Sequence, residues 1–187
     1  MPHSIQDFKS TLVGGGARPN LFEVSLTTFP GGADYDATDF SILCKAAQLP
    51  ASNVASIDVP FRGRTFKVAG DRTFDTWTVT VINDTDFRIR TAMEAWMQFI
   101  AQYGDGSGAT NPTSYMEDAI VKQFSRKASA MSSEVNNGME VIKQYKFYSI
   151  FPTNISAIDL SYDSSDQIEE FTVEFQVQYW APHEGEN

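Results

Sequence analysis

From Asn20 the chain alternates. Leu21, Glu23 and Ser25 fall on one side of an extended backbone, and Phe22, Val24 and Leu26 fall on the other. A period of two marks a strand, and Pro30-Gly31-Gly32 ends this one. A second strand is expected over residues 40–46 around Cys44, closed by Leu49-Pro50. The clearest alternation runs over 74–82. Trp77, Val79 and Val81 share one face there, and Thr76, Thr78 and Thr80 share the other, all good strand residues. Strands are also predicted over 117–127 and 139–151, joined by a turn at Asn136-Asn137-Gly138 and closed by Pro152. A last hairpin is expected to pair 155–162 with 168–180 around Asp163-Ser164-Ser165-Asp166. Its second strand sets Phe171, Val173, Phe175, Val177 and Tyr179 against Glu170, Thr172, Glu174, Gln176 and Gln178.

The period changes once, after the loop Asn83-Asp84-Thr85-Asp86, which can supply a helix cap. Over 87–101 the apolar stripe is Ile89, Met93, Trp96 and Ile100, flanked by Ala92 and Phe99, with Arg90 and Glu94 four apart on the outer side. This is the one long helix expected. A short helix starts at Ser4, a cap with Asp7 three residues on, and Gly14-Gly15-Gly16 ends it. Residues 103–114 form a Gly/Ser/Asn/Pro loop.

Residues 51–70 fit neither pattern's core. Val54, Ile57, Val59 and Phe61 lead to Arg62-Gly63-Arg64, and Phe66 and Val68 follow. Two extended segments turning at Arg62-Gly63 predict a hairpin that need not lie on the main sheet.

The expected fold class is mainly β with one flanking amphipathic helix, in one domain of 187 residues and 20.8 kDa. Charge narrows the function. With 24 Asp+Glu against 14 Lys+Arg, the formal net charge is −10. The longest basic cluster is Arg126-Lys127, which argues against a nucleic-acid reader and against an anionic membrane surface. One cysteine, Cys44, excludes an internal disulfide and a cysteine-built metal site. The start Met1-Pro2-His3-Ser4 has neither the basic segment nor the apolar core of a secretory signal, and no run reaches the roughly 18 apolar residues of a spanning helix. Folding in a cytosol, without a membrane anchor, is expected.

Catalytic chemistry has little to stand on. The two histidines, His3 and His183, lie near the termini, where a rigid first shell is hard to build. Asp34, Asp36 and Asp39 lack the Gly and distal Glu of a calcium loop, and Asp163, Asp166, Glu169 and Glu170 read as a solvated turn. Gly104-Asp105-Gly106-Ser107-Gly108 follows a helix and is no dinucleotide fingerprint. Trp77 and Trp96 read as core. No catalytic residue, metal or cofactor is assigned. The extended apolar ribbon, more than one domain can bury, points to self-association.

Longer segments carry a resemblance. Ala17-Arg18-Pro19-Asn20-Leu21-Phe22-Glu23-Val24, Cys44-Lys45-Ala46-Ala47-Gln48-Leu49-Pro50, the run from Val68 to Val81, Phe151-Pro152-Thr153-Asn154 and the ending Phe171 to Trp180 resemble, in this order, the tail tube proteins of contractile-tailed phages of the T-even type. The resemblance covers about residues 17–180. The loop 29–39, the connection 129–138 and the tail after Trp180 are longer than that pattern requires.

The resemblance implies a β-sandwich-like or barrel-like subunit whose strands join neighbours into a hexameric ring barrel. Such rings stack into the inner tail tube of the virion, assembled in the host cytoplasm. Partners implied are other copies of the chain, the tail sheath, a tape-measure protein, baseplate and tail-terminator proteins, and DNA in transit without specific binding. Residues 51–70 match the arm that packs on neighbouring subunits and the adjacent ring, with Val54, Ile57, Val59, Phe61, Arg62, Arg64 and Phe66 as its contacts. Residues 1–17 form an N-terminal segment and 181–187 a loose tail. Candidate bore-lining residues are Thr76, Thr78 and Thr80, or Glu170, Glu174 and Gln176. The other readings are a tube-initiator or baseplate protein of the same fold, the tube of a related injection system, and a monomeric β-sandwich binding module.

Overall fold

A computed structural model describes residues 4–12, 16–31, 37–128, 139–163 and 165–183. Two antiparallel sheets share one long strand. The first contains β1 (Phe22–Leu26), β6 (Glu117–Ala128), β7 (Met139–Ile155) and β9 (Tyr179–His183). The second contains β2 (Cys44–Ala47), β5 (Trp77–Ile82), β8 (Glu170–Gln176) and the C-terminal part of β7. Among the described residues β3 (Ser52–Phe61) and β4 (Arg64–Phe74) pair only with each other.

The core lies where the alternation placed it. Trp77, Val79 and Val81 of β5 and Phe171, Val173 and Phe175 of β8 are buried, as are Val24, Val121 and Phe147 of the other sheet. Trp77 stacks on Phe147 with ring centroids 4.5 Å apart and donates its indole N–H to the Gln48 carbonyl at 2.9 Å. One ring thus fastens both sheets and satisfies its only polar atom.

Helix α3 (Arg88–Ile100) buries Ile89, Ala92, Met93 and Trp96 against this core. The Trp96 indole donates to the Tyr115 carbonyl at 2.7 Å. The N-cap position is Phe87, at φ +54 and without a side-chain cap bond, and the Asp84 carboxylate of the expected capping loop accepts from the Arg88 backbone N–H at 3.0 Å. Arg90 pairs with Glu94 at 2.9 Å but is not simply an outer residue, since it also donates to the Ser156 carbonyl and lies over the Phe171 ring. Helix α1 (Ile5–Thr11) has the expected Ser4–Asp7 capping box. Gly108 follows α3 at a spot where a Cβ would sit 2.0 Å from the Ile100 carbonyl oxygen, so this loop glycine serves close packing.

Several elements differ from expectation. Residues 37–43 form helix α2 (Ala37–Leu43) in place of the first part of a strand. A strand would have put Phe40, Ile42 and Cys44 on one face. The helix turns Phe40 inward and leaves Ile42 exposed, and Cys44, buried, opens β2 directly after it. The strand predicted over 74–82 is interrupted, because β4 ends at Phe74 and β5 starts at Trp77, with Thr76 in the link. Helix α4 (Pro112–Tyr115) closes the 103–114 loop.

Pro152 does not close β7, which continues to Ile155. There β7 pairs on one side only, with β8, and an edge strand tolerates a residue without an N–H. The expected hairpin is confined to its start, where Ile155 pairs with Val173 and the Ser156 N–H donates to the Thr172 carbonyl at 2.8 Å, and residues 157–162 form no strand. β8 is already paired with both β5 and β7. Ala181 to His183 are not loose, since they pair with Lys146 to Gln144 in the ladder of β7 and β9. Gly14, Gly15, Asp34, Asp36, the connection 129–138 with its Asn-Asn-Gly turn, His3 and residues 184–187 lie outside the described residues.

Strand β7 also breaks the period of two. Its buried residues Gln144, Phe147 and Ile150 recur every three positions before Pro152 resumes the spacing of two. The ladder with β6 slips three times, and at one slip two residues of β7 face Asp118 alone, a β-bulge. Ser149 adopts φ +52 there, its N–H donates to the Asp118 carboxylate at 3.0 Å, and the same carboxylate pairs with Lys146 at 3.0 Å. That pairing raises the Lys146 pKa above its ordinary value. At this bend β7 passes from one sheet to the other.

Candidate functional site: an exposed ribbon and an acidic sheet face

The ribbon of β3 and β4 is almost wholly exposed. Every β3 residue is exposed, and Gly70 and Phe74 alone are half-buried in β4. Ten residues of strand reach ~33 Å. The tip is a two-residue turn with φ +46 at Arg62 and +80 at Gly63, the double positive φ that matches the twist of a hairpin. The Arg62 guanidinium lies over the Phe61 ring.

The ribbon has two unlike faces. Ile57 opposes Val68, Val59 opposes Phe66 and Phe61 opposes Arg64, so these share one face. Asp58 opposes Lys67, to which it is paired at 3.1 Å, and Pro60 opposes Thr65 on the other face. Val54, expected with the apolar set, pairs with Arg72 on the polar side. Val68 belongs to the apolar face although it was not among the predicted contacts, and its place in the 64–66–68 alternation was the available signal. The ribbon runs to Phe74, four residues beyond the expected 51–70.

Its root is tied to the body by one side chain missed at the sequence level. The Trp180 indole donates to the Ala51 carbonyl at 2.9 Å, and its ring meets Phe74 and Tyr145 edge-on. Both feet of the ribbon therefore rest on one residue of β9.

The two candidate bore-lining sets prove to be one surface. Thr78 opposes Glu174, Thr80 opposes Thr172 and Ile82 opposes Glu170. Their neighbours Trp77, Val79, Val81, Phe171 and Phe175 are buried, so this face points away from the core. Gln176 continues it, opposite Phe151, and Thr76 stands apart in the β4–β5 link. Glu170 pairs with Lys45, and Glu174 has no ion pair among the described residues.

No cluster of three His, Cys, Asp or Glu side chains suited to a metal occurs among the described residues. Asp39 pairs with Arg88 at 3.0 Å. Cys44 is buried, and burial pushes its thiol up to about 12, which leaves it protonated and a poor nucleophile. No helix among the described residues is long and apolar enough to cross a membrane.

A family model described as phage tail tube protein matches residues 17–183. The chain is 36% identical over 167 residues to the tail tube protein gp19 of Enterobacteria phage T4, covering 89% of this chain and 92% of that one. Identity to the same protein of Enterobacteria phage T6 is 35% with the same coverage. The tail tube protein of Serratia phage KSP90 is 23% identical over 176 residues, covering 92% and 93%. Among solved structures, a chain of the anti-feeding prophage baseplate is similar with a TM-score of 0.63 at 9% identity, covering 90% of this chain and 95% of that one. A chain of the sheath-tube complex of the PVC extracellular contractile injection system, in its extended state, gives 0.60 at 14% identity, covering 93% and 96%. At these identities the likeness is one of fold.

Proposed function

The chain belongs to the phage tail tube protein family, whose members are structural components of the virion tail, and from that premise we propose that it closes into hexameric rings that stack into the inner tube. The observation that carries this reading is the exposed ribbon, an apolar face of Ile57, Val59, Phe61, Phe66 and Val68 held off the core in water. A subunit gains by covering such a face with another copy. β1, β2 and β9 each pair on one side only among the described residues, and ring closure would supply partners for open edges.

The role needs no catalytic chemistry. The acidic face carrying Thr78, Thr80, Glu170, Glu174 and Gln176 is suited to a bore through which DNA passes, because a conduit should not bind its cargo. The sheath would surround the tube, a tape-measure protein would fill it before ejection, and baseplate and terminator proteins would hold its ends. The likeness in fold to a baseplate chain keeps a tube-initiating role open as a second reading.

Electron microscopy of the purified protein tests the proposal. Rings about six subunits round, or stacked tubes, are expected. A monodisperse particle at the subunit mass of 20.8 kDa would point to a binding module instead. Short capped stacks that never elongate would favour the initiator.

A further inference from the structure

The segment between β7 and β8 leaves apolar side chains in water. Leu160 is 80% exposed, Ile168 is 72% exposed and Tyr162 is fully exposed. They border a cleft of about 870 Å³ whose walls include Asp159, Glu169 and Glu170. Asp159, Asp163, Asp166, Glu169 and Glu170 lie within residues 157–170, which hold no Lys or Arg. Glu169 accepts from the Asn83 side chain and Glu170 pairs with Lys45, whereas Asp159, Asp163 and Asp166 have no ion pair among the described residues.

The ribbon is the chemical complement of this cleft. It carries Arg62, Arg64, Lys67 and Arg72 against Asp58 and Asp71, a net +2 on a chain of −10. Asp58 and Lys67 neutralise each other, which leaves Arg62 and Arg64 as the charge at the tip, beside Phe61 and Phe66.

The two surfaces also lie at opposite ends of one sheet. The foot of the ribbon, Phe74, precedes the Trp77 end of β5, and the cleft adjoins the Ile82 end, where Ile82 pairs with Glu170. Six residues of strand separate these ends by ~20 Å. A subunit with a donor surface at one pole and its acceptor at the other makes head-to-tail contacts, which propagate along a stack or close into a ring.

We infer that the cleft formed by residues 157–162 and 167–170 receives the basic, apolar-faced ribbon of a second copy of this chain. Arg62 and Arg64 meet Asp159 and Asp163, and Phe61 and Phe66 cover Leu160, Tyr162 and Ile168. Complementary charge orients the encounter, and removal of both apolar surfaces from water holds the contact. This inference rests on the assembly reading above and names the surface that the ribbon meets.

A charge-reversal cycle on the full chain tests it. Arg62→Glu with Arg64→Glu, and separately Asp159→Lys with Asp163→Lys, should each lower tube yield by roughly tenfold while leaving the circular dichroism spectrum and melting temperature of the subunit unchanged. Combining all four should restore tubes. Independently, Phe61→Cys with Leu160→Cys should give a ladder of cross-linked oligomers when assembled tubes are oxidised and run without reductant. Parental tube yield from the Asp159→Lys, Asp163→Lys variant, or assembled double-cysteine tubes that do not cross-link, would overturn the docking and leave the tube reading standing. A parent protein that forms neither rings nor tubes would remove both.

Discussion

The Trp180 indole N–H reaches the carbonyl of Ala51 at 2.9 Å, and this bond fixes the direction in which the ribbon leaves the body. The same ring packs on Phe74, the last residue of the ribbon's second strand. Trp180→Phe keeps the packing and loses the bond, at a cost of about 1 kcal/mol. Trp180→Ala loses both and should cost about 2 kcal/mol, with tube formation strongly slowed. Chemical denaturation and electron microscopy of the two variants check this. Tubes formed by Trp180→Ala at the parental rate would show that the ribbon's root need not be held.

Trp96 is fully buried, with its indole bonded to the Tyr115 carbonyl. Trp96→Asp removes a large apolar side chain and places a carboxyl group among Phe29, Phe175 and Met93, so a loss on the order of 4 kcal/mol is expected. An unchanged denaturation midpoint would remove the α3 stripe from the core.

Glu174→Lys reverses a charge on the proposed bore face and leaves Glu170, which also walls the docking cleft, unchanged. Glu174 has no ion pair among the described residues, so the change should alter stability by less than about 1 kcal/mol. Virions built with this variant should assemble yet eject DNA more slowly, most of all at low salt, where phosphate contacts are strongest. Ejection at the parental rate across salt concentrations would take Glu174 out of the lining.

Cys44 supplies a pH test. Its folded-state pKa is raised from 9.0 to about 12 by burial. The raised value means that the folded state holds the thiol proton more tightly, so this contribution is complete below pH 9 and is lost as pH climbs toward 12. The stability difference between the parent and Cys44→Ala should therefore shrink over that window. Thiol reagents should label the parent only on unfolding. A difference that stays constant from pH 9 to 12 would mean the thiol is not shielded.

Much of this fold could be read from alternation wherever the ladders are regular. β5 and β8 pair without a slip, and their buried and outward faces are those the sequence pattern implied. The ribbon's turn was legible because Arg62-Gly63 leaves little else for the backbone to do. β7 was legible only in outline, because its bulges move the buried positions to a spacing of three. Residues 155–162 misled for another reason. Ile158, Leu160 and Tyr162 alternate as a strand would, yet β8, the strand they were expected to join, is already paired with β5 and β7. The two candidate bore faces could not be recognised as one, since that depends on the register of β5 against β8, a tertiary fact. The same is true of Trp180, whose partners lie 129 residues away at Ala51 and more than 100 away at Phe74.

The sharing of β7 between both sheets has a consequence for how the subunit comes apart. One continuous backbone carries the ladders with β6 and β9 in its first part and the ladder with β8 in its last, and the Asp118 clamp sits at the crossing. Backbone amides of β5, β6, β7 and β8 should thus exchange with solvent deuterium in a single cooperative event near the global unfolding free energy. Those of β3 and β4, paired only with each other, should exchange in the free subunit by local fraying. The molecule therefore has two tiers of protection, a body that exchanges as one and a ribbon whose amides slow only when another protein covers them. Isotope exchange can follow its assembly residue by residue.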